Sequence, residues 1–250
     1  MKAPAHQELL LFYTFGLFMD VYGSALRDFY KNKLSEILWL HNSYGEPEEM
    51  PVEEFFRNEA DMPDIELAAL TCCTGQVLDI GAGAGSHSLI LQQRGIAVTA
   101  LEHSALACTI MRERGVKTII EQDIFNYGDK RFNTLLLLMN GIGLCGTLSG
   151  LELFLDHASN LLLHDGQLIF DSSDISYLYE DIAKPKDRYY GELSYCYEYK
   201  GQMGDWFNWL YIDPETLAAI SKRKGWQCQI LDYNENDHYL ARLKKLTVES

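Results

Sequence analysis

An α/β sandwich on a mostly parallel sheet is the fold that this sequence of 250 residues predicts, and three observations predict it. From Gln76 onward, short β-branched or Leu-rich runs alternate with amphipathic segments, the pattern of parallel strands covered by helices. The first of these runs leads into "VLDIGAGAGSHS", where glycines on alternate positions turn a strand into a helix. Two later segments carry helix signals that need no partner to be read: a clean apolar stripe in one, and both caps in the other.

Taken in chain order, residues 23–40 read as a helix with Leu26, Tyr30, Leu34 and Ile37 on one side. Residues 42–63 are acidic, hold three of the six prolines and read as irregular. Strands are expected at 76–80, 97–102, 117–122, 134–139 and 167–171. The helix at 149–163 places Leu151, Phe154, Leu155, Ala158, Leu161 and Leu162 on one stripe, with Glu152, Asp156 and Asn160 facing away, and ends at a His-Asp-Gly turn. A further helix has Asp213 as N-cap, Pro214 at its first position and Gly225 just beyond its basic end. Residues 189–212, crowded with Tyr, Phe and Trp, and residues 229–243 are expected to add antiparallel strands at one edge of the sheet. The division that follows is an N-terminal helical or lid segment at 1–69 and one domain at 70–250, with antiparallel additions after 175. No internal repeat or low-complexity tract interrupts it.

A formal charge of −15 repels polyanions, and no Lys/Arg block offsets it, so neither nucleic acid nor an anionic membrane surface is expected as a partner. The six cysteines lack metal-site spacing and read as reduced thiols of a cytoplasmic protein; the adjacent Cys72 and Cys73 are small hydrophobes or a redox pair. The apolar run at 9–19 is far shorter than the roughly 20 residues a bilayer span needs, and no small-residue cleavage site follows it.

A glycine turn between strand and helix presents backbone N–H groups and the positive end of the helix dipole to a ligand. The nicotinamide fingerprint is GxGxxG, whereas Gly81, Gly83 and Gly85 form GxGxG with Ser86 in place of the third glycine. Asp79, two residues ahead of the loop, sets a carboxylate where a pyrophosphate would be repelled and a cationic ligand welcomed. Glu102 ends the second strand, 21 residues after Gly81, where an acid accepts hydrogen bonds from a ribose diol; the other reading of such an acid is a solvated loop carboxylate.

With these residues in view, "VLDIGAGAGSHSLILQQRGIAVTALEHS" resembles the first motif and following acidic strand of class I S-adenosylmethionine-dependent methyltransferases. "EQDIF", "LLLLMNGIG" and "LLLHDGQLIFDSSD" continue the resemblance over residues 70–174. More narrowly, "MNGIGLCGTLSGL", "FDSSD", "WLYIDPETLAAISKRKGWQCQIL" and "HYLARL" resemble a bacterial group within that family. The resemblance implies a Rossmann-like three-layer sandwich with a seven-stranded sheet whose last strand is antiparallel, and S-adenosylmethionine as cofactor. It implies that Gly81, Ala82, Gly83 and Gly85 pass under the methionine part, with Asp79 near its amino group and Glu102 on the ribose. Asp123 and Ile124 would bracket adenine, and Met139, Asn140 and Gly141 would line the space beside the sulfonium.

Methyltransferases of nucleic-acid amino groups share an Asn/Asp-Pro-Pro-aromatic motif after the fourth strand, where this chain reads Met139-Asn140-Gly141-Ile142; a small-molecule acceptor is therefore expected. Asn140 is the candidate catalytic residue, orienting an acceptor through its amide, or else caps the turn. His87, at the start of a helix whose dipole disfavours a charged ring, is a neutral base or a contact to backbone or cofactor carboxylate. His103 stacks near adenine or faces solvent. His238, Tyr239, Tyr189, Tyr190, Trp206, Trp209 and Tyr211 roof an acceptor pocket or form the core of added strands, and Tyr13, Phe18 and Tyr22 form a lid or a hydrophobic dock. A non-catalytic module that binds the same donor and an NAD(P)-dependent oxidoreductase are the alternatives; no metal site is expected.

Overall fold

A computed structural model describes residues 20–33 and 35–246. The chain opens with helix α1 (Val21–Asn32), strands β1 (Leu38–Asn42) and β2 (Glu48–Met50), two short 3₁₀ turns and helix α2 (Asp64–Cys72). It then alternates as expected: β3 (Gln76–Ile80), α3 (Ser86–Gln93), β4 (Ala97–Glu102), α4 (Ala105–Arg114), β5 (Ile119–Glu121), β6 (Phe132–Leu137), α5 (Leu148–Leu161) and β7 (Leu162–Ser173). Strands β8 (Glu192–Tyr199), β9 (Gln202–Met203) and β10 (Phe207–Leu210) follow, then α6 (Pro214–Arg223), β11 (Trp226–Tyr233) and β12 (His238–Lys245).

Seven strands in the order β11-β12-β7-β6-β3-β4-β5 form the central sheet. Strands β3 to β7 pair in parallel, whereas β12, the last strand of the chain, runs antiparallel to both β7 and β11. Neighbouring residues of a strand face opposite ways, so each buried run feeds two cores. Leu78, Leu135 and Leu168 pack with Phe154 and Leu155 of α5 and Leu217 of α6. Their neighbours Val77, Leu136 and Ile169 pack on the other face with Ala69 and Leu70 of α2 and Ile90 of α3. That is the three-layer sandwich, with α6 capped as the sequence predicts: Asp213 accepts from the Thr216 N–H.

Two expectations are corrected. The helix does not run over 23–40; it ends at Asn32, because Lys33 turns left-handed at φ 58° and closes onto the Phe29 carbonyl. Residues 38–42 become a strand because their backbone is taken up on both sides, by β2 and by β8. Residues 189–212, likewise, do not extend the edge of the central sheet. They fold into a second, antiparallel sheet, β10-β8-β1-β2, with β9 beside β8, where the edge position of the central sheet is filled by β11. The apolar run at 9–19, with Tyr13 and Phe18, and also Leu34 lie outside the described residues.

Helix α1 packs through Ala25 and Leu26 with Ala107 and Ile110 of α4 and Leu38 of β1, joining the two sheets. The loop after β3 depends on Gly85, which begins α3 at φ 83°; a Cβ there would lie 2.9 Å from Met111 Cγ and Val116 Cγ2. Gly85→Ala is expected to lower stability by about 1–2 kcal/mol from the left-handed backbone alone, read as a lower midpoint in urea unfolding.

Candidate active site

The C-terminal tips of β3, β4 and β6 meet the inner face of the second sheet around a cavity of about 850 Å³, within the range that holds drug-sized ligands. Twelve of the residues singled out from the sequence line it: Asp79, Gly81, Ala82, Gly83, His87, Glu102, His103, Asp123, Ile124, Met139, Asn140 and Gly141. Gly85 does not; it faces α4 and shapes the loop instead.

The loop is strapped to the neighbouring strand, since Gly81 and Ala82 both donate to the Leu101 carbonyl, at 2.9 and 3.1 Å. Gly83 has φ 55°, and a Cβ on it would come within 2.9 Å of the Tyr22 hydroxyl. The first turn of α1 therefore lies directly over a backbone that only glycine leaves bare.

Glu102 is buried and accepts three backbone N–H groups: Gly83 on one oxygen, His103 and Ser104 on the other, each at 2.9 Å. Burial works against its charge, but the His103 ring and these donors outweigh it and hold its pKa below the usual carboxylate range. The His103 ring stays exposed at the rim, its own pKa raised by Glu102. Asp79 is buried and accepts from Ser88 Oγ at 2.6 Å, and burial pushes its pKa up despite His87 and Ser88. Asp123 accepts from the Phe125 N–H at 2.7 Å, which fixes the turn that carries buried Ile124.

His87 is neither a free base nor a backbone contact. Its Nε2 lies 2.6 Å from Glu66 Oε2, and Glu66 Oε1 accepts from Arg57 at 2.6 Å. Burial opposes charge on the ring, yet Glu66 and the nearby carboxylates of Asp79 and Asp171 raise its pKa. Burial also disfavours charge on Glu66, whose pKa is nevertheless lowered by His87 and Arg57. Nothing local in the sequence marks Arg57 or Glu66, because a partner 21 residues away on another helix leaves no motif.

Met139 and Asn140 are consecutive left-handed residues, at φ 60° and 54°. The Asn140 N–H donates to both oxygens of Asp171 at 3.0 Å, and its side-chain amide donates to the Leu210 carbonyl at 3.3 Å. Asp171 is also held by His238 at 2.7 Å, so His238 supports this corner from outside the lining. Asn140 thus ties the tip of β6 to β10, the strand that carries much of the aromatic wall. Phe207 lies 5.3 Å from Tyr197 and 6.0 Å from Trp209, and Tyr197 stacks on Tyr22 at 5.5 Å. Of the aromatics noted in the sequence, Trp209, Tyr211 and Tyr22 reach the cavity. Tyr189 and Tyr190 bind Asp213 and Asp174, Trp206 is exposed, and Tyr239 is core.

Among the described residues no group of three or more His, Cys, Asp or Glu is placed to hold a metal ion, and no helix is long and apolar enough to cross a membrane.

No family model and no curated protein matches the chain. Among solved structures, it is similar to an S-adenosylmethionine-dependent methyltransferase from Bacteroides fragilis in complex with S-adenosyl-L-homocysteine, at 38% identity and a TM-score of 0.86, over 91% of this chain and 95% of that one. The methyltransferase CcbJ from Streptomyces caelestis matches at 14% identity and TM-score 0.62, over 91% and 98% of the two chains. An S-adenosylmethionine-dependent methyltransferase from Clostridium acetobutylicum matches at 16% and 0.56, over 75% and 94%. The last two share the fold.

The raised pKa of His87 has a testable sign. Its contribution to stability is complete below its ordinary value of 6.5 and is lost as pH rises through the raised one; that of Glu66 is present above 4.5 and is lost as pH falls through its lowered value. Glu66→Gln is expected to lower the His87 pKa, read by histidine NMR titration, and to shrink the stability difference from wild type at alkaline pH, read by denaturant unfolding from about pH 5 to about pH 9.

Proposed function

The chain belongs to the class I S-adenosylmethionine-dependent methyltransferases, and we propose that it moves the sulfonium methyl onto a small molecule held under the aromatic wall of the second sheet. The observation that carries this reading is one cavity whose lining runs from the glycine loop and Glu102 to Trp209 and Tyr211, so that donor and acceptor share one continuous space.

S-adenosylmethionine is the cofactor, and the residues fit it. Gly81 would set no neighbour within 4 Å of a Cβ, which leaves bare backbone and open space beside the loop. Glu102 keeps lone pairs beyond those its three backbone donors occupy. When bound, the donor supplies a methyl carbon made electrophilic by a positive sulfur. We assign Asp79, Gly81, Ala82 and Gly83 to the methionine part, with His87 beneath it, Glu102 to the ribose hydroxyls, and His103, Asp123 and Ile124 to adenine. Met139, Asn140 and Gly141 border the sulfonium. Arg57 is the single Lys or Arg among the described lining residues, and it is the natural counter-ion for the methionine carboxylate.

Methyl transfer is an in-line displacement, and alignment of reacting atoms is worth about 7–11 kcal/mol. The protein's part is to hold two ligands end to end and exclude water. Asn140 serves this by fixing the wall beside the methyl rather than by moving a proton. The described residues between Asp20 and Leu70 act as a cover, since Tyr22, Phe55 and Arg57 all reach the cavity. The charge of −15 disfavours nucleic acid as acceptor, and six unpaired thiols suit the reducing cytoplasm.

Calorimetry is expected to detect binding of S-adenosylmethionine and S-adenosylhomocysteine, abolished in Gly83→Val and weakened about 10- to 100-fold in Glu102→Ala, the worth of hydrogen bonds to a charged acceptor. Asn140→Ala should keep donor affinity and lose turnover. Absence of binding by the wild-type protein would overturn the reading.

A further inference from the structure

The acceptor half of the cavity has a chemistry of its own. Tyr195, Tyr197, Phe207, Trp209 and Tyr211 of the second sheet face Tyr22 and Phe55, which join the same lattice of rings: Tyr22 lies 5.2 Å from Phe55 and 5.5 Å from Tyr197. Seven carboxylates line the whole cavity, with Glu54 next to Phe55 and Asp205 two residues before Phe207 in the chain, against the guanidinium of Arg57. Arg57 is itself engaged by Glu66 at 2.6 Å. Both histidines on the lining are held by carboxylates, His87 by Glu66 and His103 by Glu102.

Resting on the assignment of this cavity to methyl transfer, we propose that the acceptor is an amine with an apolar or aromatic body, methylated on nitrogen. Three features separate it from oxygen and sulfur acceptors. Aromatic faces and carboxylates attract a cation and repel a phenolate, thiolate or carboxylate. An alcohol needs a base close to its proton, and the rings of the acceptor wall bring none: His87 is turned into Glu66 and His103 lies exposed beside Glu102. Burial also keeps the hydroxyls of Tyr195, Tyr197 and Tyr211 protonated well above the usual tyrosine range, so they offer hydrogen bonds but no base. A neutral amine brings its own lone pair.

The charge balance agrees. The ammonium form first sheds a proton to water at the open rim. The nitrogen lone pair then forms the N–C bond, and the C–S bond breaks with its electron pair going to sulfur, leaving a thioether. The positive charge passes from sulfur to nitrogen, and the new ammonium releases its proton to solvent when its pKa allows. A site lined by carboxylates and aromatic faces stabilises positive charge at both ends of that transfer. With an anionic acceptor the two charges would annihilate, and the same walls would disfavour the reactant.

The test is calorimetric titration of the protein saturated with S-adenosylhomocysteine by three probes of matched size, phenethylamine, phenethyl alcohol and phenylacetate. Phenethylamine is expected to bind at least about tenfold more tightly than the alcohol, with phenylacetate weakest. Phe207→Leu, which keeps apolar bulk and removes a π face, should erode the amine's advantage about fivefold and leave S-adenosylhomocysteine affinity unchanged. The inference is overturned if the alcohol or phenylacetate equals the amine, if the amine does not bind, or if Phe207→Leu weakens all three alike. Failure of S-adenosylhomocysteine itself to bind would instead sink the methyl-transfer reading on which this one rests.

Discussion

The carboxylate of Glu102 is the point from which the site is built. A buried charge is tolerated only where donors replace water, and here three backbone N–H groups from two segments converge on it. One belongs to the glycine loop and two to the start of the chain leading into α4. The same acid therefore sets the distance between the tips of β3 and β4. The link continues outward: Ser104 caps α4 through Ala107, donates its hydroxyl to Asp20 at 2.5 Å, and Asp20 caps α1 by accepting from Gly23 at 2.7 Å. Helix α1 is thus tied to the glycine loop by an unbroken chain of polar contacts, and Tyr22 arrives over Gly83 as a result.

A second buried network supports the floor. Arg57, Glu66 and His87 come from three different segments, and their mutual pairing makes the burial of each acceptable. Arg114 adds a brace, donating to the Ala84 carbonyl at 2.6 Å, while Ser86 donates to the Phe55 carbonyl at 2.8 Å. The region between β2 and α2, irregular as its acidity and prolines suggest, is in this way pinned against the glycine loop. Irregular backbone next to a ligand cavity is stable here because side chains, not a ladder, satisfy it.

How much was legible depends on how local each signal is. Strands β3 and β4 match the sequence reading residue for residue, since period, burial and glycine punctuation all lie within a few positions. The caps of α6 are of the same kind. The error over residues 23–40 has the opposite origin. Helical spacing of apolar residues does continue past Asn32, but β1 gains two strand partners that no helix there would have, and Leu38 is buried among α1 and Tyr199. His87 illustrates the same limit at a site: its place at a helix start was readable, while the partner that decides its protonation was not.

What the sequence by itself determined is the central α/β order, the glycine loop with Asp79 ahead of it, and the acid at the end of the next strand. These follow from backbone conformation and hydrophobic period, which act between near neighbours. Only the tertiary structure decided that the aromatic stretch becomes the wall of the cavity, that Asn140 is turned to clasp that wall, and that Arg57 and Glu66 line the same cavity. Each of those outcomes depends on pairing between segments far apart in the chain, where hydrogen bonding and charge burial are settled by which surfaces meet and not by any local pattern.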